Sequence, residues 1–175
     1  MDEELGPVSV LVNNAGILKT QTRLADLNAD RINAIFNANV TGSFICCREA
    51  VKRMSTKMGG DGGAIINVSS GAATRGSPNE YIDYAASKDA IDTLTKGLSV
   101  EVAGEGIRVN CVRPVFIYTE MHADGGEPNR VDRVKAKVTM KRGGQPSEVA
   151  EAIYWLASDK ASFSTGNFLD LAGGL

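Results

Sequence analysis

Four short apolar runs punctuate the chain: Val8 to Asn13, Ala64 to Val68, Ile107 to Val112 and Phe168 to Leu171. The first two, rich in Val, Ile and Leu, suit strands covered on both faces, and the last two read as a third and a closing strand. Between them the period changes. From about Asp30 to Met58, Ile32, Ile35, Phe36, Val40, Phe44, Cys47 and Val51 recur at helical spacing and form a broad apolar stripe. Gly59-Gly60-Asp61-Gly62-Gly63 breaks the chain after it. A second helix is predicted from Tyr81 to about Ala103, ended by Gly104 to Gly106, and a third from Pro146, well suited to a first helical position, to about Ala157. Residues from Pro114 to about Gly144 read as irregular and polar, with a short helix near Asn129 to Val138. Strands alternating with helices in this order imply right-handed crossovers and a parallel sheet. The expected fold is α/β, about four strands with flanking helices, amounting to part of a doubly wound sheet.

Composition narrows the class. The chain has 175 residues, 43% of them hydrophobic and 23% charged, enough for one domain with a real core, and no repeat or low-complexity tract divides residues 1–175. A formal net charge of -2 leaves no basic stripe for phosphates, which argues against a nucleic-acid partner. No apolar run is long enough to span a bilayer, and Met1-Asp2-Glu3-Glu4 has none of the character of a secretory leader, so a cytoplasmic protein with no membrane partner is expected. Cys46, Cys47 and Cys111 make neither a disulfide framework nor a spaced metal set, and are expected to be small buried residues of a reduced compartment. No metal site is expected.

The candidate chemistry centres on Tyr84-Ala85-Ala86-Ser87-Lys88, with Ser70 upstream. A spacing of four on a helix puts Tyr84 and Lys88 on one face, about one turn apart. A phenol titrates near ~10, too high for proton traffic at neutral pH, and a neighbouring ammonium favours the phenolate and lowers that value. A serine hydroxyl at the end of a neighbouring strand could hold a substrate oxygen against the phenol. Taken alone, such a pair reads as a half-exposed tyrosine over a solvated lysine. Asn14, Ala15 and Gly16 follow the first strand's carboxyl end, where ligands of open α/β sheets sit, although an ordinary tight turn has the same composition. His122, the sole histidine, reads as a surface residue, and Trp155, with Ile153 and Leu156, as helix-to-core packing. Gly71 and Gly76 have the separation of a phosphate loop, but Ser77 stands where its lysine belongs.

Five motifs fall in order: Asn13-Asn14-Ala15-Gly16, Asn39-Val40-Thr41-Gly42, Asn67-Val68-Ser69-Ser70, Tyr84 to Lys88, and Arg108-Val109-Asn110 followed by Arg113-Pro114. Together they resemble the classical short-chain dehydrogenases/reductases over essentially the whole chain. Glu80-Tyr81-Ile82-Asp83-Tyr84 and Ile117-Tyr118-Thr119 are similar to a glucose-dehydrogenase-like branch. The resemblance implies the C-terminal part of a Rossmann-like doubly wound parallel sheet. It also implies an NAD(P)-dependent oxidoreductase that interconverts an alcohol and a carbonyl of a small molecule, using NAD or NADP.

By the same resemblance Tyr84 is the proton donor/acceptor, and Lys88 lowers its pKa and binds the nicotinamide ribose. Ser70, six before Gly76, polarises the reacting oxygen, and Asn39 holds a water linking Lys88 to solvent. Without the family, Asn39 reads as a polar residue that distorts a helix and bonds to backbone. Asn14, Ala15 and Gly16 become cofactor contacts. The stretch Arg113 to Thr119 lines the nicotinamide, with Pro114, Ile117 backbone and the Thr119 hydroxyl as its contacts. Val115 stands where the family has glycine; if that position needs positive φ or close backbone approach, a β-branched side chain strains it.

Judged against the family, roughly 60–80 residues, two βαβ units sharing a strand, have no counterpart. With them go the glycine-rich pyrophosphate turn and the residue that chooses between NAD and NADP. Weak cofactor affinity is expected, and the strand after Val8 becomes an exposed apolar edge. The helices near Thr41 to Met58 and Tyr81 to Ala103 imply a homodimer or homotetramer. The rival expectation is an inactive fragment that retains only these oligomerisation surfaces.

Overall fold

The computed structural model describes residue 4 and residues 6–175. Among them, β1 (Val10–Asn13), β2 (Gly63–Val68), β3 (Ile107–Pro114) and β4 (Phe168–Leu171) form one sheet in the order β1-β2-β3-β4. Every neighbouring pair is parallel, with Val12 opposite Ile66 and Ile66 opposite Asn110. All four carboxyl ends therefore open on one rim. The helices are α1 (Ala29–Phe36), α2 (Gly42–Met54), α3 (Ala72–Arg75), α4 (Ile82–Val102), α5 (Met121–Asp124), α6 (Arg130–Val134) and α7 (Pro146–Ala157). On one face α2 and α4 pack Cys47, Met54 and Val102 against Ile65, Ile107 and Val109. On the other, α7 packs Leu156 against Ala64, Ile66 and Val112. The expected α/β fold, four parallel strands with flanking helices, holds.

Local chemistry explains the boundaries. Pro146 opens α7, and the Glu148 carboxylate accepts the Gln145 N–H at 2.8 Å. At the other end the Arg108 guanidinium donates to the carbonyls of Leu156, Ala157 and Ser158 at 2.8, 3.3 and 3.2 Å. Those carbonyls lack helical partners, so a half-buried cation both bonds them and meets the negative end of the helix dipole. The amide of Asn110 donates to the Ser164 carbonyl and its oxygen accepts the Asn167 N–H, at 2.7 and 3.1 Å. Arg108 and Asn110 are thus scaffold.

Four expectations change. The helical segment after Asp30 contains a π turn, Asn37–Thr41, so inward positions run Ile35, Asn39, Ser43, Cys47, each four apart. The wider turn rotates everything downstream. Phe44, expected on the buried stripe, is 48% exposed, and Ser43 takes the inward place. Cys46 is exposed on the same outer face, unlike Cys47 and Cys111. Trp155 is also exposed, leaving Leu156 and Ile153 to pack. β1, by contrast, exposes Val10 and Val12 at 43% and 40%, as anticipated for an open apolar edge.

A polar line crosses the interior beneath α4. Asn13 donates to Asn67 Oδ1, and Asn67 Nδ2 donates to Thr95 Oγ1, both at 2.8 Å, with Asn67 fully buried. Asn67→Ala removes both bonds and leaves a small void, an expected loss of about 2–4 kcal/mol. Urea unfolding should show a clearly lower midpoint; an unchanged midpoint would mean the line does not hold β1 and β2 to α4.

Candidate active site

The rim where β2 meets α4 collects four of the expected residues. Val68 ends β2, and the two serines that follow diverge. Ser69 is buried and its hydroxyl donates to the Lys88 carbonyl at 3.0 Å, pinning the strand to the helix. Ser70 starts the α3 turn, accepting the Ala72 N–H at 3.1 Å, and its hydroxyl is the group that favours the Tyr84 phenolate. Only Ser70 faces the phenol.

Lys88 is 3% exposed, and its ammonium donates to the Val68 carbonyl at 2.8 Å. The same Nζ lies 5.6 Å from the centroid of the Tyr84 ring. Gly16 closes over it: a Cβ there would stand 3.3 Å from Nζ and 3.4 Å from Asn39 Oδ1. Asn39, buried in the π turn, accepts the Ile17 N–H at 2.7 Å and donates to the Ile17 carbonyl at 2.9 Å and to Ser87 Oγ at 3.0 Å. Its side chain thus does what the family-free reading proposed, bonding backbone from a distorted helix.

The electrostatics differ from the expectation. Burial pushes the Tyr84 phenol up to about 12, with Ser70 as the opposing influence. Burial pushes the Lys88 ammonium down to about 8, opposed by Cys111 and Asp92. Lys88 is therefore not what lowers the phenol here. Loss of water destabilises both charged forms, and neither group is among the influences on the other.

The remaining expected residues are more scattered. Asn14 and Ala15 are exposed just beyond β1, Asn14 donating its N–H to the Val12 carbonyl at 3.1 Å. The Pro114 carbonyl accepts the Gly71 N–H at 3.0 Å, which ties the end of β3 to the Ser70 loop. Ile117 bridges to Gly144, and Thr119 is exposed. No hydrogen bond among the described residues joins Ile117 or Thr119 to the Ser70–Tyr84–Lys88 group. Val115 is buried and outside the left-handed region; the positive φ, 51°, falls on Phe116. The strain expected at Val115 is displaced by one residue.

Several supporting groups went unread. Ser87 links Asn39 to the Tyr84 carbonyl, donating at 2.7 Å, and its place one turn beyond Tyr84 was the available signal. Asp83 accepts the Tyr84 N–H at 2.9 Å, and Arg31 clamps its carboxylate at 2.7 Å while donating to the Thr20 carbonyl at 2.6 Å. His122 is half-buried rather than on the surface, its Nε2–H donating to the Ile117 carbonyl at 2.9 Å. Nothing local announces Arg31 or His122, because their partners lie on other elements or across a turn.

A family model described as enoyl-(acyl carrier protein) reductase matches residues 1–175. An Escherichia coli (strain K12) relative, named "uncharacterized oxidoreductase YgfF", is 68% identical over 174 residues, covering 99% of this chain and 70% of the relative. The chain belongs to the short-chain dehydrogenase/reductase family. A "glucose and ribitol dehydrogenase homolog" from Oryza sativa subsp. japonica is 38% identical, covering 97% of this chain and 57% of that protein. The crystal structure of a Brucella melitensis 3-ketoacyl-(acyl-carrier-protein) reductase complexed with NADH aligns with a TM-score of 0.90 and 30% identity, over 99% of this chain and 69% of that one. A structure of ElxO with NADPH bound gives 0.87 and 35%, over 98% and 68%. Against these relatives the chain spans between 57% and 70% of their length. Among the described residues, no helix is long and apolar enough to cross a membrane.

Short-chain dehydrogenases with a buried lysine at this position should show it in their stability. Lys88 sits near 8 when folded, below the ~10.4 of a free lysine, so between those values the unfolded chain binds more protons. The burial penalty is complete below pH 8 and is relieved as pH rises towards about 10. Cys47 and Cys111, raised by burial to about 11 and about 12, act in the opposite direction at the alkaline end. Wild type is therefore compared with Lys88→Met, which cancels them. Wild type should gain on the variant across pH 8–10, by on the order of 3 kcal/mol, in urea midpoints; a constant gap would show that the ammonium is not desolvated.

Proposed function

We propose that this chain is an NAD(P)-dependent oxidoreductase acting between an alcohol and a carbonyl of a small molecule, with Tyr84 as the proton carrier. The observation that carries the reading is a buried Tyr84 phenol with the buried Lys88 ammonium 5.6 Å from its ring and the Ser70 hydroxyl favouring its ionised form. Ser70 orients the substrate oxygen against the phenol. Lys88, fixed by the Val68 carbonyl and faced by the Cβ-free Gly16, presents a cation at the rim. With its pKa near 12 the phenol is fully protonated at neutral pH, the form needed to donate to an alkoxide developing from a carbonyl. Reduction is thus the direction the resting charge state favours.

The rim fits a nicotinamide cofactor. Gly16 leaves the approach to Lys88 open, and Asn14 and Ala15 are exposed beside it. Asn14, Ala15, Gly16, Tyr84, Lys88, Pro114, Ile117 and Thr119 would hold it. When bound, NAD or NADP supplies or accepts the hydride. The cofactors in the matched solved structures, NADH and NADPH, support that choice without separating the two. Asn39 acts on Lys88 through the Ile17 backbone. Self-association as a homodimer or homotetramer is supported by exposed Phe44 and Ile45 on α2 and Val100 on α4.

Titration with NADH and NADPH, followed by nicotinamide fluorescence, tests the reading, and saturable binding is expected. Tyr84→Phe should then lower carbonyl turnover by at least about 100-fold with cofactor affinity retained, and Ser70→Ala should lower it less. Absence of saturable binding would favour the rival, a fragment that only associates with itself. Unchanged turnover in Tyr84→Phe would remove the phenol from the chemistry.

A further inference from the structure

We infer that Arg75 recognises an anionic group, a carboxylate or a phosphate, carried by the carbonyl substrate of the Ser70–Tyr84 site. The inference rests on the oxidoreductase reading above and adds a substrate class to it. Arg75 closes α3, the turn that Ser70 begins. Its Nη2 lies over Gly71, the neighbour of Ser70: a Cβ on Gly71 would stand 2.9 Å from that nitrogen and 2.3 Å from Val115 Cγ2. Any larger residue at position 71 would evict the guanidinium. The group is thus held at the sheet's carboxyl rim, where open α/β sheets bind ligands.

Its charge is unusually uncompensated. Arg75 Cζ lies 5.6 Å from the Phe116 centroid, and Arg130 Cζ lies 5.8 Å from the same ring. Arg130 is answered by Glu80 at 2.5 Å and Glu127 at 3.4 Å. Arg75 makes no hydrogen bond or ion pair among the described residues. The one acid that favours its charge, Asp170, is 62% exposed and already 3.9 Å from Arg113. Partial burial and the neighbouring Arg130 both disfavour the Arg75 cation. A long, exposed side chain free to turn into water is instead kept beside a second cation. Phe116, whose ring both guanidiniums approach, adopts φ 51°, a conformation a bulky residue avoids. Two guanidiniums, one neutralised and one not, near a strained aromatic beside the candidate catalytic serine, form a site completed by an anion. Arginine's planar fork suits carboxylate and phosphate.

The probes are 4-formylbenzoate and its methyl ester, which share the aldehyde and differ in charge. Calorimetric titration of the purified chain should give at least about tenfold tighter binding of the acid, a preference that shrinks with added salt. Arg75→Gln should remove the preference and Arg75→Lys should restore part of it. Equal affinity for the two probes, or a preference that survives Arg75→Gln, overturns the inference. So does a variant that loses NADPH affinity while keeping its preference, since the anion bound would then be the cofactor's own phosphate. Turnover is read separately by nicotinamide oxidation. A charge preference in binding with no turnover of either aldehyde leaves the anion site standing and overturns the oxidoreductase reading; turnover without preference does the reverse.

Discussion

The Lys88 ammonium, taken out of water and given the Val68 carbonyl at 2.8 Å, constrains everything around it. Burying an ammonium costs several kcal/mol even after relaxation, so its neighbours must be fixed by other means. Gly16 has no Cβ because one would approach Nζ to 3.3 Å. The loop bearing Gly16 is held from the next residue, where Asn39 bonds both the N–H and the carbonyl of Ile17. Asn39 reaches that loop from a π turn, and the turn sets which side of α2 faces the sheet. One desolvated charge thus bears on a loop, a helix distortion and a packing face.

The same logic explains a helix that looks poorly amphipathic. Along α4, Asp83, Ser87, Lys88, Asp92, Thr95 and Ser99 are all buried. Burial of this many polar groups is tolerable only with partners, since an unpaired one costs about 1–3 kcal/mol. Among the described residues none lacks one: Arg31 answers Asp83, Arg113 answers Asp92 at 2.8 Å, and Asn67 answers Thr95. The partners come from α1, β2 and β3. The helix is held to the sheet by directed bonds as well as by apolar contact, which fixes Tyr84 and Lys88 in rotation and not merely in depth.

How far the sequence was legible follows from where each signal lies. β2 is a nearly continuous apolar run and β3 carries Ile107, Val109, Cys111 and Val112, both largely buried, so length and composition sufficed to find them. Pro146 and the glycines after α4 mark ends by local backbone chemistry. The Tyr84–Lys88 pair is likewise local, one helical turn. Their pKa values were not, because the attraction of two groups is visible in spacing whereas the loss of water depends on every element packed over them. The phenol rises to about 12 for that reason, against the direction that spacing alone suggests.

The loop after β3 shows the limit most sharply. Val115 in place of glycine predicts strain at that residue, yet its backbone pairs regularly, the N–H donating to the Leu171 carbonyl at 3.0 Å. The side chain packs into the space Gly71 leaves, since a Cβ on Gly71 would meet Val115 Cγ2 at 2.3 Å. The left-handed turn is then made one residue later, at Phe116, whose ring comes to lie near both Arg75 and Arg130. A substitution judged by what it lacks becomes intelligible through two distant partners, a glycine forty-four positions earlier and an arginine from α6. Close approach does operate here, but it is Gly71 that provides it, and the bulk at Val115 is the reason it must.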